Sequence, residues 1–338
     1  MKAAFLYGQQ DIRLEDVNLA PVETYGLRIK VLSCGVCGSD ARMFFTGPTP
    51  RYLHPVILGH ELSGKVVEVG DQLDDFTVGD LVTLAPIVPC MRCPACSRGL
   101  DNLCQHAQVI GCTVHGGMAE YVSVPSQMVL AGGAVKLPRQ ADHRAAALTE
   151  LVGCCLHGLY QMDITPGDKV LIIGDGPIGL TFLQLARLLG AGYVVTSGRR
   201  PRRQKLAVEL GADEALNAQT VDLRERFEQS MDQVIIAASN IQVTTEAVEL
   251  LQPGGSLLLF SGYTYGTALS LDANTIHYRQ LHIHGSIDCT VRDFRTAANL
   301  LPQLQMEKLI SASFPLEKTV EAFFASKERD AVKVIIEP

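Results

Sequence analysis

Four cysteines that lie close together in the sequence have the composition and spacing of a metal site. They follow the pattern Cys90-x2-Cys93-x2-Cys96-x7-Cys104. Four thiolates complete a tetrahedral shell with no open position, which is typical of structural zinc. An iron–sulfur cluster also takes four thiolates, but the bacterial run for that use ends in Cys-Pro after three spacers, and this run does not. We predict a structural zinc in a lobe at about residues 88–106.

A second group of potential ligands is divided between two short motifs. Cys37 lies in the segment Gly-Val-Cys-Gly-Ser-Asp at 35–40, and Gly59-His60-Glu61 follows about twenty residues later. Cys, His and Glu all bind zinc, and an open fourth position makes the ion a Lewis acid. Each residue also has a simpler interpretation: Cys37 and His60 as packed side chains, Glu61 as an exposed or ion-paired glutamate. A redox pair Cys34-x-x-Cys37 is disfavoured, because that motif belongs beside a βαβ unit.

A glycine-rich turn at 174–179 has the spacing of a dinucleotide-binding turn. Gly174, Gly176 and Gly179 fit G-x-G-x-x-G, with Pro177 and Ile178 before the third glycine. The turn follows the apolar run 169–173 and opens a helical pattern, which is the context that gives the motif its meaning. The free N–H groups and positive dipole end of that helix then face a pyrophosphate. A glycine-rich turn without a ligand is the alternative.

The segment that follows the second predicted strand favours NADP over NAD. An acidic residue about twenty positions after the turn would bind the ribose 2′-hydroxyl of NAD. This chain has Gly198-Arg199-Arg200 there instead. A guanidinium suits a phosphate by its charge and its planar fork of donors. The alternative is that these arginines, with Arg202 and Arg203, are the solvated start of a helix.

Composition and charge limit the class of protein. The chain has 338 residues, 47% hydrophobic and 19% charged, and a net charge of −7 without a block of like charges. A nucleic-acid partner is disfavoured, because it would require a basic patch. No apolar stretch is long enough for a membrane span or a secretory leader. We expect a cytoplasmic protein, in which a tight cysteine cluster binds metal.

The elements that position these motifs indicate two domains of an α/β protein. Residues 1–150 read as short strands separated by Gly and Pro, so we predict a β-rich domain there. Residues 151–289 alternate buried strands with helices, which predicts a doubly wound parallel sheet of the Rossmann type. Residues 290–338 contain a helical stretch and a strand-like end, and we expect them to return to the first domain.

Together these motifs resemble the zinc-containing medium-chain dehydrogenases, and more closely their polyol branch with sorbitol, threonine and polyol-phosphate dehydrogenases. The similarity extends over nearly the whole chain. It includes the motifs at 35–40 and 58–61, the four-cysteine lobe, Gly-Gly-Met-Ala-Glu-Tyr at 116–121 and the nucleotide turn. The resemblance implies a GroES-like catalytic domain, two zinc ions per chain, and a homodimer or homotetramer.

The resemblance also implies roles for individual residues. Cys37 and His60 match the catalytic zinc ligands, and Glu61 matches a ligand found in several polyol members. Glu150 matches a glutamate that binds the zinc directly or through water. Asp40 would orient the imidazole of His60, and Ser39 would begin a proton relay.

The implied reaction is hydride transfer between an alcohol or polyol and NADP. The zinc would lower the pKa of the substrate hydroxyl, and its proton would leave through Ser39. Two departures from the family pattern bear on this. Arg42 stands where relatives often have a relay histidine, and Leu151 replaces a proline that commonly follows the glutamate at 150.

Two other functions remain open from the sequence. One is a biosynthetic carbonyl reductase that uses NADPH. The other is a non-catalytic protein that binds zinc and nucleotide, which the fold alone does not exclude. The substrate is also open: Arg42, Arg51 and His54 could meet a phosphate or an acid, or could be surface residues.

Overall fold

Both ends of the sequence contribute to one of the two units into which the chain folds. The computed structural model describes residues 1–50 and 52–338. The first unit combines Met1–Gly153 with Cys289–Pro338, and the second contains Cys154–Asp288. The sequence placed these limits at 150 and 289.

Ten strands and five α-helices lie between residues 2 and 159 in the part of the chain that the structure describes, and the last of these helices crosses the boundary between residues 153 and 154. In chain order these are β1 (Lys2–Gly8), β2 (Asp11–Asp16), β3 (Leu27–Gly35), α1 (Gly38–Thr46), β4 (Val56–Ile57), β5 (Glu61–Val69), β6 (Leu81–Leu84), β7 (Ile87–Val88), α2 (Pro94–Ser97), β8 (Gln108–Val109), β9 (Tyr121–Val124), α3 (Ser126–Leu130), β10 (Ala134–Leu137), α4 (His143–Ala147) and α5 (Thr149–Leu159).

The second unit alternates strands and helices, as its sequence predicts. Its elements after α5 are β11 (Lys169–Ile173), α6 (Pro177–Leu188), β12 (Tyr193–Gly198), α7 (Pro201–Glu209), β13 (Glu214–Asn217), α8 (Leu223–Phe227), β14 (Met231–Ile236), α9 (Ile241–Leu250), β15 (Leu251–Leu259), α10 (Ala273–Tyr278) and β16 (His282–Gly285). The chain then returns to the first unit through α11 (Val291–Leu300), β17 (Ile310–Pro315), α12 (Thr319–Ala325) and β18 (Lys333–Glu337).

A largely antiparallel sheet of seven strands forms the frame of the first unit. Its order is β10-β6-β5-β3-β18-β17, with β9 also paired to β3. Strand β18 is antiparallel to β3, opposite Gly35 and Cys34, and parallel to β17. The final segment therefore returns to the first unit, and it does so directly beside the strand that leads to Cys37.

Six parallel strands form the sheet of the second unit, in the order β13-β12-β11-β14-β15-β16. Strand β11 is central, and Val170, Leu171 and Ile172 are completely buried. Such a continuous apolar run is what a strand covered on both faces requires. The order reverses between β11 and β14, and ligands of open α/β sheets bind at that switch point, beyond the carboxyl ends of the strands.

Aromatic packing fixes helix α1, which follows Cys37, against the returning segment. The ring of Phe44 on α1 stacks on Phe323 of α12 with centroids 4.7 Å apart. Both side chains are completely buried in the core of the first unit. The position of the residues at 37–40 therefore depends on packing supplied from near residue 323.

Replacing Phe44 by alanine should destabilise the first unit by about 3–5 kcal/mol, since a large buried ring leaves a cavity that relaxes only in part. Urea unfolding followed by circular dichroism measures this. Tyr265→Ala is the control, because Tyr265 is exposed, and it should change the midpoint little. An equal effect of both substitutions would contradict this account of α1.

Candidate functional site

The ligand atoms of Cys37, His60 and Glu61 lie within 4.8 Å of one another in the first unit. Cys37 precedes α1 and is half-buried, whereas His60 and Glu61 are buried where β5 begins. The structure thus brings together residues that are more than twenty positions apart in sequence. Glu150 is also buried, but its carboxylate is not part of this cluster. Ser39 is half-buried in the first turn of α1.

The carboxylate of Asp40 holds both halves of this cluster. Its Oδ2 accepts a hydrogen bond of 3.1 Å from the backbone N–H of Cys37. Its Oδ1 lies 3.4 Å from Nδ1 of His60, which is beyond the usual length of a hydrogen bond. With Nδ1 facing a carboxylate, Nε2 is the ring nitrogen left for a metal.

Glu61 forms a buried ion pair with a residue that the sequence did not suggest. Lys333 at the start of β18 donates to Oε1 of Glu61 at 2.5 Å, and the two side chains are only 4% and 1% exposed. Oε2 has no hydrogen-bond partner and is buried. The ion-paired interpretation of Glu61 therefore describes the structure, and one carboxylate oxygen is still available to a cation.

Glycine makes room for this carboxylate. Gly35 on β3 is directly opposite Glu61 on β5. A Cβ atom at residue 35 would lie 2.1 Å from Oε2 of Glu61, closer than any real contact. Any side chain at residue 35 would displace the carboxylate of Glu61, so glycine is what permits its position.

The Gly116-Gly117 motif supports the loop that precedes His60. Gly116, Gly117 and Met118 donate backbone hydrogen bonds of 2.7–3.0 Å to the carbonyls of residues 57–59. A Cβ at Gly116 would lie 2.4 Å from the carbonyl oxygens of Leu58 and Gly59. The motif is therefore a backbone clamp whose close approach only glycine permits.

The negative groups of the site favour the protonated forms of its two basic groups, His60 and Lys333. Burial lowers the pKa of His60, but the charges of Asp40 and Cys37 outweigh burial and raise it well above the usual value. Burial likewise opposes the charged form of Lys333, and Glu61 and Cys37 raise its pKa instead. A metal that binds His60 must therefore displace a proton, so binding weakens as the pH falls.

Two neighbours of the cluster were not predicted from the sequence. Tyr52 and Cys112 each affect the pKa of the other, and burial is the main cause that raises the pKa of Cys112 to about 11. The charges of His60, Asp40 and Cys37 act on Cys112 as well. Of the suggested phosphate contacts, Arg42 and His54 are exposed, and Arg51 lies outside the described residues.

The four-cysteine lobe has the geometry of a thiolate site. The sulfur atoms of Cys90, Cys93, Cys96 and Cys104 lie within 4.8 Å of one another, with Cys93 3.5 Å from Cys96 and 3.9 Å from Cys104. Zn–S bonds of about 2.3 Å in a tetrahedron put sulfur atoms about 3.8 Å apart. Backbone N–H groups of Cys96 and Gln105 lower the pKa of Cys93 to about 6, which favours its thiolate.

The nucleotide turn lies at the carboxyl end of the central strand of the second unit. Gly174 has φ +129°, and a Cβ there would lie 2.9 Å from the backbone of Ala237. A Cβ at Gly179 would lie 1.9 Å from the carbonyl oxygen of Gly174. Gly176, the N-cap of α6, is open on its side-chain face. Two glycines thus shape the turn, and the middle one leaves a surface for close approach.

A cleft of about 1030 Å³ extends from this turn over the ends of β11, β12 and β14. The cleft is large enough for a dinucleotide. Arg199 and Arg200 line it, together with Asp175 and Asn240. The structure therefore places both arginines of the sequence prediction on the wall of the cleft that holds the glycine turn.

The comparisons with known proteins agree with this architecture. Residues 24–138 match the alcohol dehydrogenase GroES-like domain, and residues 177–303 match the zinc-binding dehydrogenase domain. L-galactonate-5-dehydrogenase of Escherichia coli is 31% identical, covering 90% of this chain and 87% of that protein. D-arabitol-phosphate dehydrogenase of Enterococcus avium is 31% identical, with 98% and 95% covered.

A solved structure is similar over the whole length. A zinc-binding dehydrogenase from Sinorhizobium meliloti, crystallised with NADP, has a TM-score of 0.94 and 32% identity, covering 100% of this chain and 99% of that one. The chain therefore belongs to the zinc-containing medium-chain dehydrogenases, in their polyol dehydrogenase branch. It is a zinc-dependent oxidoreductase of alcohols or polyols that uses a nicotinamide cofactor. Each helix that the structure describes is too short or too polar to span a bilayer.

Substituting Lys333 by methionine should destabilise the first unit by about 3–5 kcal/mol, because Glu61 would remain buried without its partner. The double variant Lys333→Met with Glu61→Gln should recover much of that loss, since no uncompensated charge remains. Urea unfolding in the presence of a chelator measures the protein contribution alone.

Lys205→Met is the matched control for this experiment. Lys205 pairs with Glu209 at 3.9 Å on the surface, and such pairs contribute less than about 1 kcal/mol. If the single and double variants at 61 and 333 were equally unstable, the ion pair would not be what stabilises this region.

Proposed function

We propose that this enzyme transfers a hydride between a secondary alcohol of a polyhydroxylated substrate and NADP. The observation that carries the proposal is the cluster of Cys37, His60 and Glu61. Asp40 contacts the backbone of Cys37 and lies beside the ring of His60. Relatives named for galactonate and for arabitol phosphate support a sugar alcohol, or a sugar acid or phosphate derived from one. The reverse reaction reduces the corresponding carbonyl by the same chemistry.

The cluster fits a zinc ion with an exchangeable position. Cys37 and His60 supply a thiolate and an imidazole, and Oε2 of Glu61 is a buried oxygen without a hydrogen-bond partner. Three protein ligands of these types are typical of catalytic zinc. A bound ion would act as a Lewis acid toward the substrate oxygen and favour loss of its proton.

We assign the other functions of the site to side chains around the cluster. Ser39 stands two residues after Cys37, and its hydroxyl receives the proton and passes it toward solvent. Asp40 fixes the orientation of the imidazole. Lys333 neutralises one oxygen of Glu61, which reduces the negative charge of the ligand set. Glu150 is buried outside the three-residue cluster, where a carboxylate is suited to a water-mediated contact or to the substrate.

The four-cysteine lobe would hold a second zinc with no chemical role. Its four sulfur ligands fill a tetrahedral shell, so no position remains for a substrate. The ion would stabilise a loop whose regular structure is limited to a two-stranded pairing, one short helix at 94–97 and a 3-10 turn at 101–103.

Cofactor preference is proposed from the arginines of the second unit. The acid that would bind the ribose of NAD is absent after β12, and Arg199 and Arg200 line the cleft at this place. The neighbouring structure from Sinorhizobium meliloti holds NADP. Two guanidinium groups at the strand end are suited to the 2′-phosphate that distinguishes NADP from NAD.

The metal content should be two zinc ions per chain, measured by mass spectrometry of the purified enzyme. Cys93→Ser should remove one ion and His60→Ala the other, and only the latter should abolish turnover while the fold persists. Cys289→Ser is the control, because Cys289 lies in neither cluster, and it should keep both ions. One zinc or none in the parent enzyme would contradict the assignment of two sites.

Replacing both Arg199 and Arg200 by alanine should lower kcat/KM with NADP by about 10- to 100-fold, the size of one or two charge-assisted hydrogen bonds. The value with NAD should change little. Lys205→Ala is the control, because Lys205 lies on the following helix α7 and its side chain is exposed. Simple alcohols, polyols, polyol phosphates and hydroxy amino acids serve as substrates. Equal efficiency of the parent enzyme with NAD and NADP would show that Arg199 and Arg200 do not confer a preference for NADP.

A further inference from the structure

The second residue of the glycine turn is an aspartate, and its surroundings are unusual. Asp175 lies between Gly174 and Gly176, directly on the wall of the nucleotide cleft. It is a charged group with only 8% exposure. A buried carboxylate requires partners, since burial of an unpaired charge is costly. The identity of those partners shows what the residue does.

The carboxylate of Asp175 occupies space that is free because Gly198 has no side chain. A Cβ atom at Gly198, the last residue of β12, would lie 2.1 Å from Cγ and Oδ2 of Asp175. Gly198 is where an acid that binds the ribose of NAD is expected. The carboxylate of Asp175 therefore fills the space in which such a side chain would begin. An acidic group is present at this point of the cleft, but it comes from the glycine turn.

Both oxygens of this carboxylate contact the segment that carries the arginines. Oδ2 accepts a hydrogen bond of 2.9 Å from the backbone N–H of Arg200. Oδ1 lies 3.8 Å from Nη1 of Arg203. Arg200 is the N-cap of α7, and Arg203 lies in its first turn. Both contacts fasten the beginning of α7 to the glycine turn.

A further hydrogen bond reinforces the same turn. Gln204 donates from Nε2 to the carbonyl oxygen of Gly198 at 3.1 Å. The segment from 198 to 204 is thus held at both its strand end and its helix end. Arg199 lies between the residues that make these hydrogen bonds, and it lines the cleft. The positions of Arg199 and Arg200 therefore depend on these hydrogen bonds.

We infer that Asp175 is a positioning residue for cofactor specificity, which holds the Gly198–Arg200 turn so that Arg199 and Arg200 meet the 2′-phosphate of NADP. The inference rests on the proposed preference for NADP. Asp175 also pairs with Arg203, which lines the same cleft. Gly198 is the necessary counterpart, because any side chain there would displace the carboxylate.

Binding of NADPH and NADH, measured by the fluorescence of the reduced nicotinamide, tests this without turnover. Asp175→Ala should raise the Kd for NADPH about tenfold, as expected for the loss of one charge-assisted hydrogen bond and the order it imposes. The Kd for NADH should change less than twofold, which also reports an intact fold. Asp175→Asn retains an acceptor for the N–H of Arg200 and should keep most of the discrimination.

A double-mutant cycle tests the link between the two residues. Gly198→Ala should weaken NADPH binding about as much as Asp175→Ala, because the new methyl group displaces the carboxylate. Asp175→Gly removes the obstructing atoms, so adding Gly198→Ala to it should cost less than twofold. Independent, multiplying effects of the two substitutions would overturn the proposed contact.

The outcomes separate this inference from the proposed function. A parent enzyme that binds NADH as tightly as NADPH overturns the proposed cofactor and the inference with it. A parent enzyme that prefers NADPH, whose ratio of Kd values Asp175→Ala leaves unchanged, overturns the inference alone. A preference that falls in Asp175→Ala and persists in Asp175→Asn supports both.

Discussion

The buried ion pair between Glu61 and Lys333 is the interaction on which the first unit depends. It joins two strands that are not neighbours in the sheet, since β3 lies between β5 and β18. Removing two charges from water is expensive, and their attraction offsets that cost only when the geometry is good. Gly35 contributes to that geometry by leaving room for the carboxylate of Glu61. The carboxylate beside His60 is thereby fixed on one oxygen and left available on the other.

The two units use the same device for different purposes. In each, a carboxylate occupies the space of an absent side chain on an adjacent strand: Glu61 against Gly35, and Asp175 against Gly198. A substitution at either glycine would therefore act through the acid that it displaces. The first pair places an oxygen beside potential metal ligands, and the second orders a segment that carries cationic groups. At both positions, glycine is required because it leaves room for a neighbouring carboxylate.

Sequence reasoning predicted the elements better than the contacts between them. The parallel sheet was evident because β11 and β14 are runs of buried apolar residues, and the fold class and the family are confirmed by the comparisons. Lys333 could not be found, because a lysine between two valines follows the alternation of a strand with one solvated face. Asp175 occupied a variable position of the glycine motif, and only the register of β11 and β12 reveals its closeness to Gly198. The roles of Lys333 and Asp175 both depend on contacts between segments that are distant in sequence, and local sequence patterns do not reveal such contacts.

The return of the chain to the first unit has a consequence for how this protein is made. Glu61 and Lys333 are 272 residues apart, and a ribosome adds about 5–20 residues per second. Strand β5 is thus synthesised on the order of tens of seconds before its counter-ion exists. During that interval the second unit, whose residues are continuous in sequence, can complete its sheet. Glu61 in the ligand cluster still lacks the ammonium group of Lys333. The order of synthesis therefore makes the metal-ligand region among the latest parts of the protein to mature.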